Sequence, residues 1–257
     1  MRRADVWRAA IAAGLVGAWA AVLPVASAQA IPVAPEPTSS AGTPSAAPTL
    51  AVPTLPVPAA RADTARRDTV VFSGGCFWGV QAVYQRVQGV DVATAGYAGG
   101  SAATAHYAQT STGRTGHAES VRVIFDPDRV SYGTLLRVFF TVAHDPTEKN
   151  RQGPDIGSEY RSAIWTTSDE QAREARSFIR RLDGGHVFPK PIVTEVQPLD
   201  GFYPAETYHQ DYLIHHPDQP YIVVNDVPKV KALRQEFPEL WREEPAPWKG
   251  DGETPRR

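Results

Sequence analysis

The composition of the first 68 residues most limits what this chain can fold into. It indicates that a globular domain has to be formed by the residues that follow. Residues 31–68 are rich in Pro, Ala, Ser and Thr, lack aromatic residues and show no apolar periodicity. Such a segment cannot bury enough surface to offset its ordering entropy, so we expect a disordered linker. Residues 69–241, roughly 170 in number, suffice for one domain with its own core. We expect residues 242–257 to form a disordered tail.

Residues 1–30 have the features of a secretory signal peptide. Three arginines precede an apolar run, and small residues around Ala28 and Ala30 fit the small-x-small cleavage rule. The apolar run of about 15 residues is short for a membrane span of about 20, although an uncleaved anchor remains the alternative. We therefore expect an exported protein, periplasmic or secreted, that is either released by cleavage or tethered through this segment.

A single cysteine, Cys76, occurs among the 257 residues. Exported proteins usually pair their cysteines in disulfides, and a lone cysteine cannot form an internal one. It therefore indicates a reactive thiol or an intermolecular bond. The alternative is an inert cysteine that packs as a small hydrophobic residue.

The neighbours of Cys76 favour a reactive thiol. Residues 71–87, VFSGGCFWGVQAVYQRV, fit the end of a buried strand, a Gly-Gly turn and an amphipathic helix. Cys76 is therefore predicted on the first turn of a helix, where free N–H groups and the helix dipole lower the pKa of a thiol. Phe77 and Trp78 are able to form the walls of a small apolar pocket, although both also suit a core.

The rest of the domain alternates between strand and helix patterns. Further strands are expected within residues 90–100, 116–127, 160–166 and 191–197. Further helices are expected within residues 131–144, 169–182, 205–216 and 229–241, with Ser131 and Ser168 as N-caps of the first two. Because some strands follow each other directly, the pattern indicates an α+β fold with a mixed sheet and packed helices in a single two-layer domain.

Several acidic groups and histidines are candidates for acid–base chemistry, but their spacing alone does not bring them together. They are His117, Glu119, His144, Asp145, Asp155 and His209. The sequence has no His-x-x-x-His motif and no cysteine pair, so a zinc site is not expected. The net charge of −2, without a basic stripe, argues against a nucleic-acid partner.

Six motifs occur in order along the domain: GCFWG, GYAGG, TGHAESVRVIFDP, HDPT, DIGSEYRSAIW and AETYHQDYL. Together they resemble the A-type peptide-methionine (S)-S-oxide reductases over nearly all of Val70–Val230. With the element order, the resemblance implies a ferredoxin-like plait. It also implies repair of oxidised proteins by reduction of the S epimer of methionine sulfoxide, in proteins or free, without a metal or cofactor.

The resemblance also implies a role for each matching residue. Cys76 is the expected nucleophile and Glu119 the acid that protonates the sulfoxide oxygen. Tyr107 and Tyr160 are expected to hydrogen-bond that oxygen, and Asp155 to help hold the site together. Substrate-binding roles are expected for Phe77 and Trp78, as a cage for the S-methyl group, and for Gly75 and His209.

The chain departs from the family pattern at one position. Many members carry a resolving cysteine just after a Pro-Tyr pair, where this chain has Ile222. A sulfenic acid on Cys76 would then need an external reductant: a thioredoxin-like protein, a glutaredoxin-like protein or a small thiol. We expect the enzyme to be a monomer.

Three other functions remain open from the residues alone. A cysteine-dependent hydrolase or acyltransferase would need no reductant and would depend on one histidine. A one-cysteine peroxidase would consume peroxide directly. A non-catalytic module that binds oxidised methionine through Phe77 and Trp78 would tolerate replacement of Cys76 by serine.

Overall fold

A computed structural model of the chain describes residues 66–250. The strands are β1 (Asp68–Gly74), β2 (Val90–Ala98), β3 (Ala118–Phe125), β4 (Arg151–Gln152), β5 (Asp155–Ile156), β6 (Ser162–Thr166), β7 (Glu195–Pro198) and β8 (Phe202–Pro204). The α-helices are α1 (Phe77–Gln85), α2 (Tyr107–Thr110), α3 (Tyr132–Val138), α4 (Asp169–Gly184), α5 (Tyr212–His215), α6 (Pro220–Asn225) and α7 (Val227–Glu236). The expected signal peptide, the linker up to residue 65 and the tail from residue 251 lie outside the described residues.

Six strands form one mixed sheet in the order β7-β6-β1-β3-β2-β8. Only the β6–β7 pair in this sheet is parallel, and its other neighbouring strands are antiparallel. The elements β1, α1, β2, β3, α3 and β6 follow the βαββαβ order, and their strands lie in the sheet order β6-β1-β3-β2. This arrangement is the ferredoxin-like plait, so the predicted α+β fold is confirmed.

The two faces of the sheet differ in how much they bury. Val70 and Phe72 of β1 pack with α1, α3 and α4 in the main core, whereas Val71 points to the opposite face. That opposite face holds a smaller cluster: Val71, Ala98, Ala118, Ala163 and Trp165, with Leu199 and Phe202 against it. The helices therefore form one layer over one face of the sheet.

Two predicted N-caps are present, and each uses its side chain. The Thr134 amide donates to Ser131 Oγ at 3.1 Å, and the Gln171 amide donates to Ser168 Oγ at 3.2 Å. Each bond satisfies an N–H group that the first turn of the helix leaves free. The helix predicted after Ser131 is present, but only Tyr132–Val138 is α-helical, and Phe139–Ala143 continues it as a π-helix.

The predicted helix over residues 205–216 is wrong. The structure has a 3₁₀ turn at Thr207–His209 and the short helix α5, separated by Asp211 in the left-handed region with φ of 55°. The Asp211 amide donates to Gln81 Oε1 at 3.0 Å, and its carboxylate accepts from Gln85 Nε2 at 2.6 Å. These bonds to α1 outweigh the local helical pattern.

The C-terminal residues also differ from the prediction of a disordered tail. Residues 242–250 pack against the C-terminal end of α1, where the Arg242 amide donates to the Arg86 carbonyl at 2.9 Å and the Ala246 amide to the Gln85 carbonyl at 2.8 Å. The Trp248 amide donates to Asp211 Oδ1 at 3.0 Å. The hydrogen-bonded domain therefore extends past Trp241. None of the helices within residues 66–250 combines the length and apolar character that crossing a membrane requires.

Candidate active site

Cys76 lies between the end of β1 and the start of α1. It is the N-cap residue of α1, one position before the first turn on which the sequence placed it. Gly75 before it has φ of +86°, which a glycine adopts without steric cost. A Cβ atom on Gly75 would lie 2.5 Å from Gln152 Cβ. Gly75 therefore makes the turn possible and leaves room for Gln152.

A cavity of about 120 Å³ contains the thiol of Cys76. Its lining residues are Cys76, Phe77, Trp78, Tyr107, Glu119, Asp155, Tyr160 and Tyr221. The structure thus brings together all five predicted catalytic residues and both predicted aromatic cage residues. Gly75 and His209 are not among the lining residues. A larger groove of about 500 Å³ elsewhere, lined in part by Tyr132 and Glu174, contains no thiol.

Glu119 is a buried carboxyl group next to the start of α1. It lies on β3 opposite Tyr97 of β2, and 4% of its surface is exposed. The Phe77 amide donates to Glu119 Oε2 at 3.0 Å. Burial raises the pKa of Glu119 to about 8, the Phe77 hydrogen bond opposes that rise, and the charge of Asp155 adds to it. Glu119 therefore holds a proton near neutral pH and is able to donate it.

The pKa of the Cys76 thiol is raised, so the predicted lowering by the helix N-terminus is wrong. Burial is the largest cause, followed by the negative charges of Glu119 and Asp226. A hydrogen bond from the Trp78 amide, the expected contribution of the helix terminus, opposes them. When Glu119 is protonated its charge no longer disfavours the thiolate, so the ionisation of Cys76 depends on that of Glu119.

Tyr107 and Tyr160, two of the three tyrosines that line the cavity, are positioned as phenol donors. The Tyr107 amide donates to Glu206 Oε1 at 2.9 Å, and the Tyr97 hydroxyl donates to Glu206 Oε2 at 2.9 Å. Glu206, which the sequence analysis missed, thereby ties Tyr107 to the sheet. Burial, reinforced by the charge of Glu119, raises the pKa values of Tyr107 and Tyr160. Both hydroxyls therefore stay protonated and able to donate.

His209 lies behind the aromatic wall of the cavity. Trp78 Nε1 donates to His209 Nδ1 at 3.2 Å, and the His209 ring centroid lies 4.6 Å from that of Tyr107 and 5.1 Å from that of Phe77. Burial lowers the pKa of His209, which favours the neutral ring that accepts this bond. Trp78 also stacks on Tyr212 with centroids 3.7 Å apart. His209 thus contacts the residues that line the cavity.

Tyr221 is a cavity residue that the sequence analysis did not identify. Its hydroxyl donates to Asp155 Oδ2 in a short hydrogen bond, and its ring lies edge-on to Trp78 with centroids 6.0 Å apart. It is the tyrosine of the Pro-Tyr pair that precedes Ile222. The sequence signal that could have identified Tyr221 is its position next to that of the family's resolving cysteine. Across residues 66–250 no group of three or more His, Cys, Asp or Glu side chains is arranged to hold a metal ion.

Residues 68–241 match the family described as peptide methionine sulfoxide reductase. The chain belongs to that family. The similar peptide methionine sulfoxide reductase MsrA 2 of Mesorhizobium japonicum is 54% identical over 175 residues, which are 68% of this chain and 90% of that protein. MsrA of Deinococcus radiodurans is 47% identical over 167 residues, covering 65% of this chain and 81% of the relative.

Two solved structures resemble the reductase domain. Mxr1 of Saccharomyces cerevisiae in reduced form has a TM-score of 0.56 at 30% identity, covering 62% of this chain and 91% of that one. Methionine sulfoxide reductase A of Corynebacterium diphtheriae has a TM-score of 0.53 at 36% identity, covering 59% of this chain and 76% of that one. The resemblance inferred from the motifs is confirmed, and the protein is an oxidoreductase that reduces methionine sulfoxide. The hypotheses of a cysteine-dependent hydrolase and of a one-cysteine peroxidase are not favoured.

Proposed function

We propose that the reductase acts on the S epimer of methionine sulfoxide through Cys76, with Glu119 as the acid. The observation that carries this proposal is the cavity itself, which holds one thiol and one buried carboxyl group with a pKa near 8. A sulfoxide oxygen leaves poorly unless it is protonated, and a thiolate is the nucleophile that sulfur chemistry requires. Glu119 supplies the acid, and the Cys76 thiol, whose pKa is raised by burial, becomes the nucleophile by giving up its proton as it attacks.

The reaction moves one oxygen atom and two electrons. The Cys76 sulfur attacks the sulfoxide sulfur while Glu119 delivers a proton to the oxygen, with Tyr107 and Tyr160 as hydrogen-bond donors to it. The oxygen then passes from the substrate sulfur to the Cys76 sulfur, so that the sulfur–oxygen bond of the substrate and the sulfur–sulfur bond made by the attack both break and methionine leaves. The proton released by the Cys76 thiol replaces the one that Glu119 gave. Cys76 carries the oxygen as a sulfenic acid, so its sulfur is oxidised by two electrons and the substrate is reduced by two. Phe77 and Trp78 offer an apolar wall for the S-methyl group.

An external thiol completes the cycle in this proposal. Cys76 is the one cysteine of the chain, and Ile222 fills the position after the Pro-Tyr pair with a fully buried side chain. A first thiol condenses with the sulfenic acid to a mixed disulfide and water, and a second releases Cys76 and a disulfide product. A thioredoxin-like protein, a glutaredoxin-like protein or a small thiol would serve. Substrates would be oxidised proteins and peptides or free methionine sulfoxide.

Three further parts of the proposal rest on the sequence. They are export of the protein, to the periplasm or the exterior, division of the chain into signal, linker and catalytic domain, and a monomeric state. The composition of residues 1–68 supports the first two.

Turnover of a racemic peptidyl methionine sulfoxide with excess dithiothreitol tests the proposal. We expect the purified chain to consume the S epimer alone, as measured by chromatography that resolves the two epimers. Cys76→Ser should abolish turnover, and omission of the thiol should limit wild type to one equivalent. Consumption of both epimers, or turnover that survives Cys76→Ser, would contradict the assignment.

A further inference from the structure

Residues 242–250, which we name the C-terminal strap, lie outside the family match of residues 68–241. The strap nevertheless contacts the domain through the main chain. The Arg242 and Ala246 amides donate to the Arg86 and Gln85 carbonyls at the end of α1, which are carbonyls that a helix end leaves free. The side chain of Ala246 is buried. The strap is therefore an addition to the family domain that packs on the helix carrying Cys76 at its start.

The strap also contacts Asp211. The Trp248 amide lies 3.0 Å from Asp211 Oδ1 and 3.1 Å from Asp211 Oδ2, so it donates to the carboxylate as a whole. Gln85 Nε2 donates to the same Oδ1 at 2.6 Å. Asp211 is buried and holds its backbone at φ of 55°. Donors from α1 and from the strap thus satisfy this carboxylate together.

Asp211 lies in the turn that supports the aromatic wall of the cavity. His209, two residues before it, accepts the indole N–H of Trp78. Tyr212, directly after it, stacks on the Trp78 ring. A shift of Asp211 would therefore move both supports of Trp78 at once.

We propose that the C-terminal strap positions the aromatic wall of the cavity by holding Asp211, so that substrate binding depends on residues outside the family domain. The inference rests on the proposed role of Trp78 as part of the substrate cage. Asp211 and the strap are positioning elements because neither lines the cavity. Loss of the strap should weaken binding of the ground state and of the transition state alike, which raises KM and leaves kcat nearly unchanged.

Two truncated chains separate the strap from the residues beyond it. A chain that ends at Glu244 loses the Ala246 and Trp248 contacts, whereas a chain that ends at Gly250 keeps them. We expect the first to raise KM for a peptidyl methionine sulfoxide roughly tenfold, since losing hydrogen bonds to a buried charged group costs on the order of 1.5 kcal/mol. The second should match the full chain. Equal KM values for the two truncated chains would overturn the proposal.

Point variants localise the effect to one amide. Trp248→Pro removes the N–H that binds Asp211, and Trp248→Ala keeps that N–H while it removes the indole. We expect Trp248→Pro to raise KM further than Trp248→Ala does. Asp211→Asn tolerates the same backbone conformation, and it should raise KM less than Asp211→Ala. If Trp248→Pro and Trp248→Ala raised KM equally, the hydrogen bond from the Trp248 amide to Asp211 would have no positioning role.

Hydrogen exchange tests the strap independently of catalysis. Amides of residues 207–216 should exchange faster in the chain ending at Glu244 than in the chain ending at Gly250. Unchanged exchange would contradict the proposal even if both chains are active. A full chain without sulfoxide turnover but with the expected exchange difference would instead refute the proposed function and leave the contact between strap and turn supported.

Discussion

Two buried carboxyl groups flank the first turn of α1, and they differ in their partners. Glu119 comes from β3, lines the cavity and accepts the Phe77 amide. Asp226 comes from the junction of α6 and α7 and packs against Gly79, where an added Cβ would lie 2.1 Å from its Oδ1. Asp226 pairs with Lys229 Nζ at 3.1 Å. Glu119 has no such ion pair among the contacts of residues 66–250.

The difference between the two regions is a counter-ion. Burial raises the pKa of both carboxyl groups, but Lys229 opposes the rise at Asp226 by charge and by hydrogen bond. At Glu119 a neutral amide is the opposing group, and the pKa reaches about 8. A cation keeps a buried carboxylate ionised and structural, whereas an amide alone leaves it as an acid poised near neutral pH. The following predictions test that contrast.

The largest expected effect is on the chemical step. Glu119→Gln keeps an oxygen acceptor for the Phe77 amide but has no proton to deliver, so single-turnover reduction of the S sulfoxide should slow roughly 10²- to 10⁴-fold. The matched variant Asp226→Asn should change that rate only a few fold. The wild-type rate should also fall as pH rises through about 8, because Glu119 then loses its proton. Equal losses in the two variants would remove the distinction.

The second effect is on stability against pH. Because the pKa of Glu119 is about 8 in the folded chain and near 4.5 unfolded, the folded state holds this proton more tightly. The stability that this proton contributes is complete below about pH 4.5 and is lost as pH rises through 8. Relative to wild type, Glu119→Gln should therefore gain about 4 kcal/mol in unfolding free energy between pH 5 and 9.5.

Urea unfolding at both pH values measures this change. Asp226→Asn is the matched control, and its gain over the same range should be smaller because Lys229 opposes the rise that burial causes in the pKa of Asp226. A flat difference between wild type and Glu119→Gln would show that the carboxyl ionises normally in the fold.

The parts of the fold that the sequence predicted well are set by local interactions. The turn before Cys76 follows from Gly74 and Gly75, and the N-caps at Ser131 and Ser168 bind amides three residues away. The helix expected over residues 205–216 failed because Asp211 is bound by residues more than 100 positions earlier and by Trp248. No local pattern reports such bonds. Strand β8 was missed because a three-residue strand carries too little alternation.

In the candidate site, too, local sequence predicted some features, whereas others depend on contacts between distant segments. Motifs around Cys76, Glu119 and Tyr160 were sufficient to predict residues that the fold brings to one cavity. The pKa of Cys76 was predicted in the wrong direction because its burial, like the charge of Asp226, depends on packing from distant segments. Tyr221 was missed for a related reason, since its hydroxyl meets Asp155 only after folding.

The smallest expected effect concerns the ion pair itself. Lys229→Met should lower the unfolding free energy at pH 7 by about 2 kcal/mol, because it leaves a fully buried carboxylate without its cation. That value lies below the range for pairs buried on both sides, since the Lys229 side chain keeps 18% of its exposure and part of its charge is solvated. Asp226→Asn should cost less than about 1 kcal/mol, because Lys229 is able to turn toward water.

Denaturant unfolding of the two single variants and of the double variant measures how the losses of Lys229 and of Asp226 differ in their effect on the unfolding free energy. The double variant should recover most of the loss caused by Lys229→Met, because no unpaired charge then remains buried. If Asp226→Asn cost as much as Lys229→Met, the carboxylate would stabilise the fold by more than its pairing with Lys229. In that case a counter-ion would not be what separates Asp226 from Glu119, and the close packing of Asp226 on Gly79 and the hydrogen bond from Phe77 to Glu119 would have to explain the difference.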